Sequence, residues 1–73
     1  MNVNYRVRAH PFEKDDMIYE TFETKTDAEA YWEDLQTKNS GVFEKVPYDA
    51  VVITIEEFRY GVWVPMSVKT VIR

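Results

Sequence analysis

His10 is the only histidine in this chain and cysteine is absent, so imidazole chemistry has one possible location and thiolate chemistry has none. A nucleophilic mechanism needs Ser, Thr or Cys within reach of a base. Ser40 and Ser67 lie in no context resembling a nucleophile elbow, and His10 stands at a strand end beside Pro11. Carboxylates are plentiful, but in the pairs Glu56-Glu57 and Asp15-Asp16 the two members are adjacent. Adjacent strand residues point to opposite faces and cannot share a substrate. His10, Glu13, Asp15 and Asp16 are acceptable metal ligands by type, yet they lack the glycine-punctuated twelve-residue calcium pattern and read as a polar turn. Gly41 and Gly61 are the only glycines, each with a turn to explain it, so no phosphate-cradling loop is present. The expectation is a protein with no catalytic residue, no cofactor and no metal site.

These residues must be positioned by one small domain, because 73 residues allow one modest core of marginal stability. Without cysteine, neither disulfides nor a Cys-based zinc site can supplement that core. The stretch Met1 to Arg6 lacks the apolar run of a signal peptide, and Ala50 to Ile53 is far too short to span a bilayer. A soluble, cytoplasmic protein with no membrane association is expected.

Val3, Tyr5, Val7 and Ala9 alternate with Asn4, Arg6, Arg8 and His10, the pattern of a half-buried strand that Pro11 should end. A polar connection over residues 11 to 16 leads to a second strand, Met17 to Thr24, with Ile18, Phe22 and Thr24 preferred on the buried face. Thr26 and Glu29 then have the spacing of a capping box. Ala28, Tyr31, Trp32 and Leu35 follow at i, i+3, i+4 and i+7, which predicts an amphipathic helix. Lys38 would complement its C-terminus, and Asn39-Ser40-Gly41 suits a left-handed stop. Residues 40 to 49 include Val42, Phe43 and Val46 and should fold over a core edge.

A third strand from about Ala50 to Phe58 and a fourth from Val62 to Ile72 flank Tyr60-Gly61. With a two-residue loop, Ile55 faces Met66, Ile53 faces Val68, Val51 faces Thr70 and Phe58 faces Trp63. That register puts the even-numbered row of the last strand beside the core. A three-residue loop with a Gly61 bulge is the competing arrangement, because a bulky residue resists positive φ at Tyr60. The agreement of the two apolar stripes favours the two-residue loop. The fold class is therefore α+β, a ββαββ single domain with a four-stranded antiparallel sheet and one helix packed on one face. The other face would carry some of Arg6, Arg8, His10, Phe58, Trp63 and Lys69.

By its size, acidity, lack of cysteine and element order, the chain resembles small acidic proteins of bacteriophages and mobile elements of the anti-CRISPR inhibitor type. The resemblance is carried by the strand-to-helix passage from Phe22 to Ala30 and by the hairpin from Phe58 to Pro65. It implies a stoichiometric inhibitor of a host nuclease or nucleic-acid-handling complex that presents acid where the target expects phosphate. No residue role is carried over from it.

The net charge of −4 conceals an asymmetry: residues 13 to 34 hold nine acidic side chains against two lysines. Such a region repels phosphate backbones and attracts basic surfaces. The expected role is a non-catalytic protein-binding module whose candidate contacts are Glu20, Glu23, Asp27, Glu29, Glu33 and Asp34, with Trp63 as an aromatic anchor. The same residues also read as a solvated, solubilising face. Two alternatives are a homodimer joined through the uncovered sheet face or an edge strand, and a single-strand nucleic-acid binder using Arg6, Arg8 and Trp63.

Overall fold

Two hairpin-like strand pairs meet in a single antiparallel sheet. The computed structural model describes residues 3–37 and 41–73. The elements are β1 (Tyr5–Pro11), β2 (Ile18–Phe22), α1 (Lys25–Asp34), α2 (Val42–Lys45), β3 (Ala50–Arg59) and β4 (Val62–Ile72). The sheet order is β2-β1-β3-β4, so β1 and β3 are central and each pair of sequence neighbours lies on its own flank. The α+β single domain expected from the sequence is what forms.

The core follows from alternation. Val7 and Ala9 of β1 lie opposite Ile55 and Ile53 of β3, and all four are buried under α1. Ile18 of β2 is buried on the same side and Phe22 packs against the cluster, as the even-numbered phase predicts. From α1 and its C-cap come Ala28 and Leu35, fully buried, with Tyr31 and Trp32 packed beside them. The indole Nε1 of Trp32 donates to the carbonyl of Ile53 at 3.3 Å, which ties the helix to the central strand by a polar bond as well as by apolar burial. Val42 and Val46 are fully buried, so the 40–49 connection does close over a core edge. Its first described part forms the short α2, a turn that the sequence did not announce.

The cap of the helix lies two residues earlier than expected. Thr24 is the N-cap, with extended backbone, and its side chain accepts from the Asp27 N–H at 3.2 Å. Thr24-x-x-Asp27 has the same threonine-to-acid spacing as Thr26-x-x-Glu29. The earlier pair wins because β2 ends at Phe22, leaving Thr24 outside the sheet and available to cap. Thr24 is accordingly exposed rather than part of the buried strand face. Lys38, Asn39 and Ser40, assigned to the helix end, lie outside the described residues, as do Met1 and Asn2. Gly41 does adopt a positive φ of 90°. A Cβ there would stand 2.5 Å from the Asp34 carbonyl oxygen, so the helix end admits only glycine at this point.

The turn between β3 and β4 has two residues, Tyr60 at φ 51° and Gly61 at φ 80°, closed by the pairing of Arg59 with Val62. Positive φ at both positions is the primed geometry that matches strand twist. Phe58 faces Trp63 as expected. The expected register holds as far as Glu56 and Pro65 and fails beyond them. A bulge between Ile55 and Glu56 advances β4 by one residue, so Ile55 faces Ser67, Ile53 faces Lys69 and Val51 faces Val71. The row Val62, Val64, Val68, Ile72 is exposed, and Val71 is the one residue of β4 that is buried. Lys69 consequently lies on the helix side of the sheet rather than on the uncovered side.

Candidate interaction surface

Strand alternation and register place Arg6, Arg8, Glu56, Thr54, Tyr19, Phe58 and Trp63 on the sheet face opposite α1. In the sequence Glu56 reads only as one of two adjacent carboxylates that cannot share a substrate. It is 4% exposed, and its Oε1 receives the Nε of Arg6 and lies 3.0 Å from the Nε of Arg8. Arg6 donates to that carboxylate, whereas the Arg8 Nε is close to it in distance but makes no hydrogen bond. Arg8 in turn reaches Asp16 through Nη1 at 3.3 Å. Two guanidiniums and two carboxylates therefore neutralise each other on this face.

Arg6 also covers aromatic surface. Its guanidinium carbon lies 4.3 Å from the Trp63 ring centroid and 5.7 Å from that of Tyr19, whose hydroxyl accepts from Nη1 at 3.4 Å. Phe58 meets Trp63 edge to face at 5.2 Å between centroids. Trp63 is thus half-buried beneath Arg6 and Phe58. Desolvation opposes the Arg6 charge, but its hydrogen bonds to Glu56 and Tyr19 prevail and hold the guanidinium above its ordinary pKa. At the neighbouring corner Tyr5 donates to Glu57 at 3.1 Å, and Glu57 also accepts from Arg59. Burial first, and then the bond to Glu57, raise the Tyr5 phenol above its usual value.

The acidic residues named from the sequence are placed differently. Glu20, Glu23, Asp27, Glu29, Glu33 and Asp34 are all exposed, and none forms an ion pair among the described residues. At about 100° per residue, Glu29 and Glu33 flank the buried stripe of α1 on one side and Asp27 and Asp34 on the other. The helix thus presents two acidic flanks instead of one acidic row. Glu20 and Glu23 belong to and follow the edge strand β2 beside it. Trp63 lies on the far face of the sheet, so the structure does not bring it together with these six carboxylates.

No family model, no curated protein and no solved structure matches the chain. Its function must be argued from its own surface. No cavity opens among the described residues, and no group of three or more His, Asp or Glu is placed there to hold a metal. No described helix is long and apolar enough to cross a membrane.

The basic and aromatic residues of the open face are committed to one another. A stacking platform for single-stranded nucleic acid needs an open aromatic face and uncompensated cations. Here the Trp63 face carries Arg6, both arginines face carboxylates, and Arg73 is turned toward Asp49 and the Phe43 carbonyl. A signal for the missed Glu56 did exist in the sequence. Two arginines alternate along β1, and Glu56 and Glu57 follow the apolar start of β3, so carboxylates stand where a cross-strand charge pair requires them.

Proposed function

We propose that the protein is a non-catalytic binding module that docks on a basic partner surface through the acid of α1 and β2. One observation carries the reading: six exposed carboxylates concentrate on neighbouring elements with no cationic partner among the described residues, while every ion pair present lies elsewhere. Arranged acid of this kind speeds encounter with a cationic surface and makes the association salt-sensitive. The partner class that fits best is a protein whose basic groove ordinarily receives phosphate, such as a nuclease or nucleic-acid-handling complex. The protein would then act as a stoichiometric inhibitor of the type found in phages and mobile elements.

The test is displacement. A labelled oligonucleotide is held on each of a panel of nucleases and nucleic-acid-handling proteins, and its anisotropy is followed as the protein is added. At least one target should release the oligonucleotide, with an effect that weakens as salt rises and is lost in Glu33→Lys/Asp34→Lys. Equal displacement by the wild type and this charge reversal would remove the acidic face from the account.

A further inference from the structure

The two edges of the sheet are unlike. Edge β2 is five residues long, carries Glu20 and is bordered by the acid of α1. Edge β4 is eleven residues long, and Lys69 is its only charge. Its first half is blunted by Pro65 and by the bulge at Met66, devices that keep edge strands from pairing. Its second half, residues 67–72, has neither, and Val68 and Ile72 there are 60% and 66% exposed. The helix α1 packs on β1, β2 and β3 and leaves this edge clear.

We propose that the protein forms an antiparallel dimer in which the second half of β4 pairs with the same segment of a second copy about a two-fold axis at Thr70. An axis perpendicular to the sheet keeps each residue on its own face, so the permitted registers differ by steps of two. Centring on Lys69 sets two lysines opposite each other, which is unfavourable. Centring on Val68 brings Pro65 and the bulge into the ladder. Centring on Thr70 avoids both, pairing Thr70 with its copy, Lys69 with Val71, and each Val68 with an Ile72 across the seam. The segment is complementary to itself in this register, which is why a second copy is favoured over a foreign strand. Charge agrees with it: the dimer is an eight-stranded sheet whose acidic β2 edges lie about 33 Å apart at ordinary strand spacing. That separation is several times the Debye length of about 8 Å in physiological salt, so the acid does not oppose assembly.

Sedimentation equilibrium should show a monomer–dimer equilibrium reaching mostly dimer at high micromolar concentration. Thr70→Lys places like charges at the axis and should weaken association by about tenfold. Because the chain has no cysteine, a single introduced thiol reports geometry cleanly. Residues opposite each other in an antiparallel pair have Cα atoms about 4.5–5.5 Å apart, within the range a disulfide bridges. Thr70→Cys with oxidised glutathione should therefore give a covalent dimer faster than Thr21→Cys, an exposed position on the other edge. A wild type that stays monomeric at high micromolar concentration overturns the proposal. So does undiminished dimerisation of Thr70→Lys, or cross-linking of Thr70→Cys no faster than Thr21→Cys.

Discussion

Arg6 sets its guanidinium 4.3 Å from the centre of the Trp63 ring while donating from Nε to Glu56. One side chain thereby joins β1, β3 and β4 on the side of the sheet that has no helix. Charge, aromatic packing and strand pairing converge on it, and this face is ordered without a second layer.

Removing the charge of Glu56 should be costly, since it leaves Arg6 and Arg8 side by side with no carboxylate between them. For Glu56→Gln we predict a loss of about 2–3 kcal/mol, below the about 3–5 typical of fully buried pairs because Arg8 retains Asp16 and solvent contact. Urea denaturation followed by tryptophan fluorescence measures it. A change under 0.5 kcal/mol, roughly the scale of ordinary surface substitutions, would mean the triad adds nothing.

Tyr60 is fully exposed and holds φ 51°, a region that bulky residues enter at a cost of about 1–2 kcal/mol. Tyr60→Asn keeps the turn and relieves the strain, so stability should rise by about 1 kcal/mol and Tm by about 4–8 °C. A calorimetric Tm at or below that of the wild type would show that the tyrosine contributes something its exposure conceals.

The two threonines at the start of α1 give a direct comparison. Thr24→Ala removes the hydroxyl that accepts from Asp27 and should cost about 1 kcal/mol. Thr26→Ala, inside the first turn, should be neutral or slightly stabilising because alanine is the better helix former. Parallel thermal melts decide between them, and the reverse order would restore the later helix start.

Raising the pH tests the Tyr5 environment. Its folded pKa lies above the unfolded value of 10.0, so near that pH the folded chain keeps a proton that the unfolded chain has released. Its contribution to stability is complete below about pH 10 and is lost as pH climbs through the folded value. Phenolate absorbance of Tyr5 should therefore develop later than that of a free phenol, and Tyr5→Phe should remove the late component. Loss of the early component instead would contradict the burial and the bond to Glu57.

The legible parts of the fold are those whose signal is local. Tyr5 to Ala9 alternates strictly, Ala28 and Leu35 fall on one helical stripe, and Tyr60-Gly61 marks a two-residue turn; each reading matches the structure. The face of the second half of β4 was not legible, because Val68 and Ile72 continue the apolar row of Val62 and Val64 while a single added residue at the bulge reverses the side of the residues beyond it. Pro65 was the only local hint of that irregularity. The Arg6–Glu56–Arg8 group was hidden for a different reason. Its members become neighbours only through the pairing of β1 with β3, and no short-range pattern specifies that pairing. The exposure of the acidic residues was legible from their places off the helical stripe, whereas their division into two flanks follows from the helix geometry.

The strand order also has a kinetic consequence. The β1–β2 and β3–β4 pairs can each form from residues close along the chain, but the central seam joins Pro11 to Val51 and Tyr5 to Glu57. Closing it restrains about forty or more intervening residues before the contacts across it can compensate. The two halves can therefore appear early as separate ribbons, and the domain acquires its cooperativity only when the middle of the sheet zips shut.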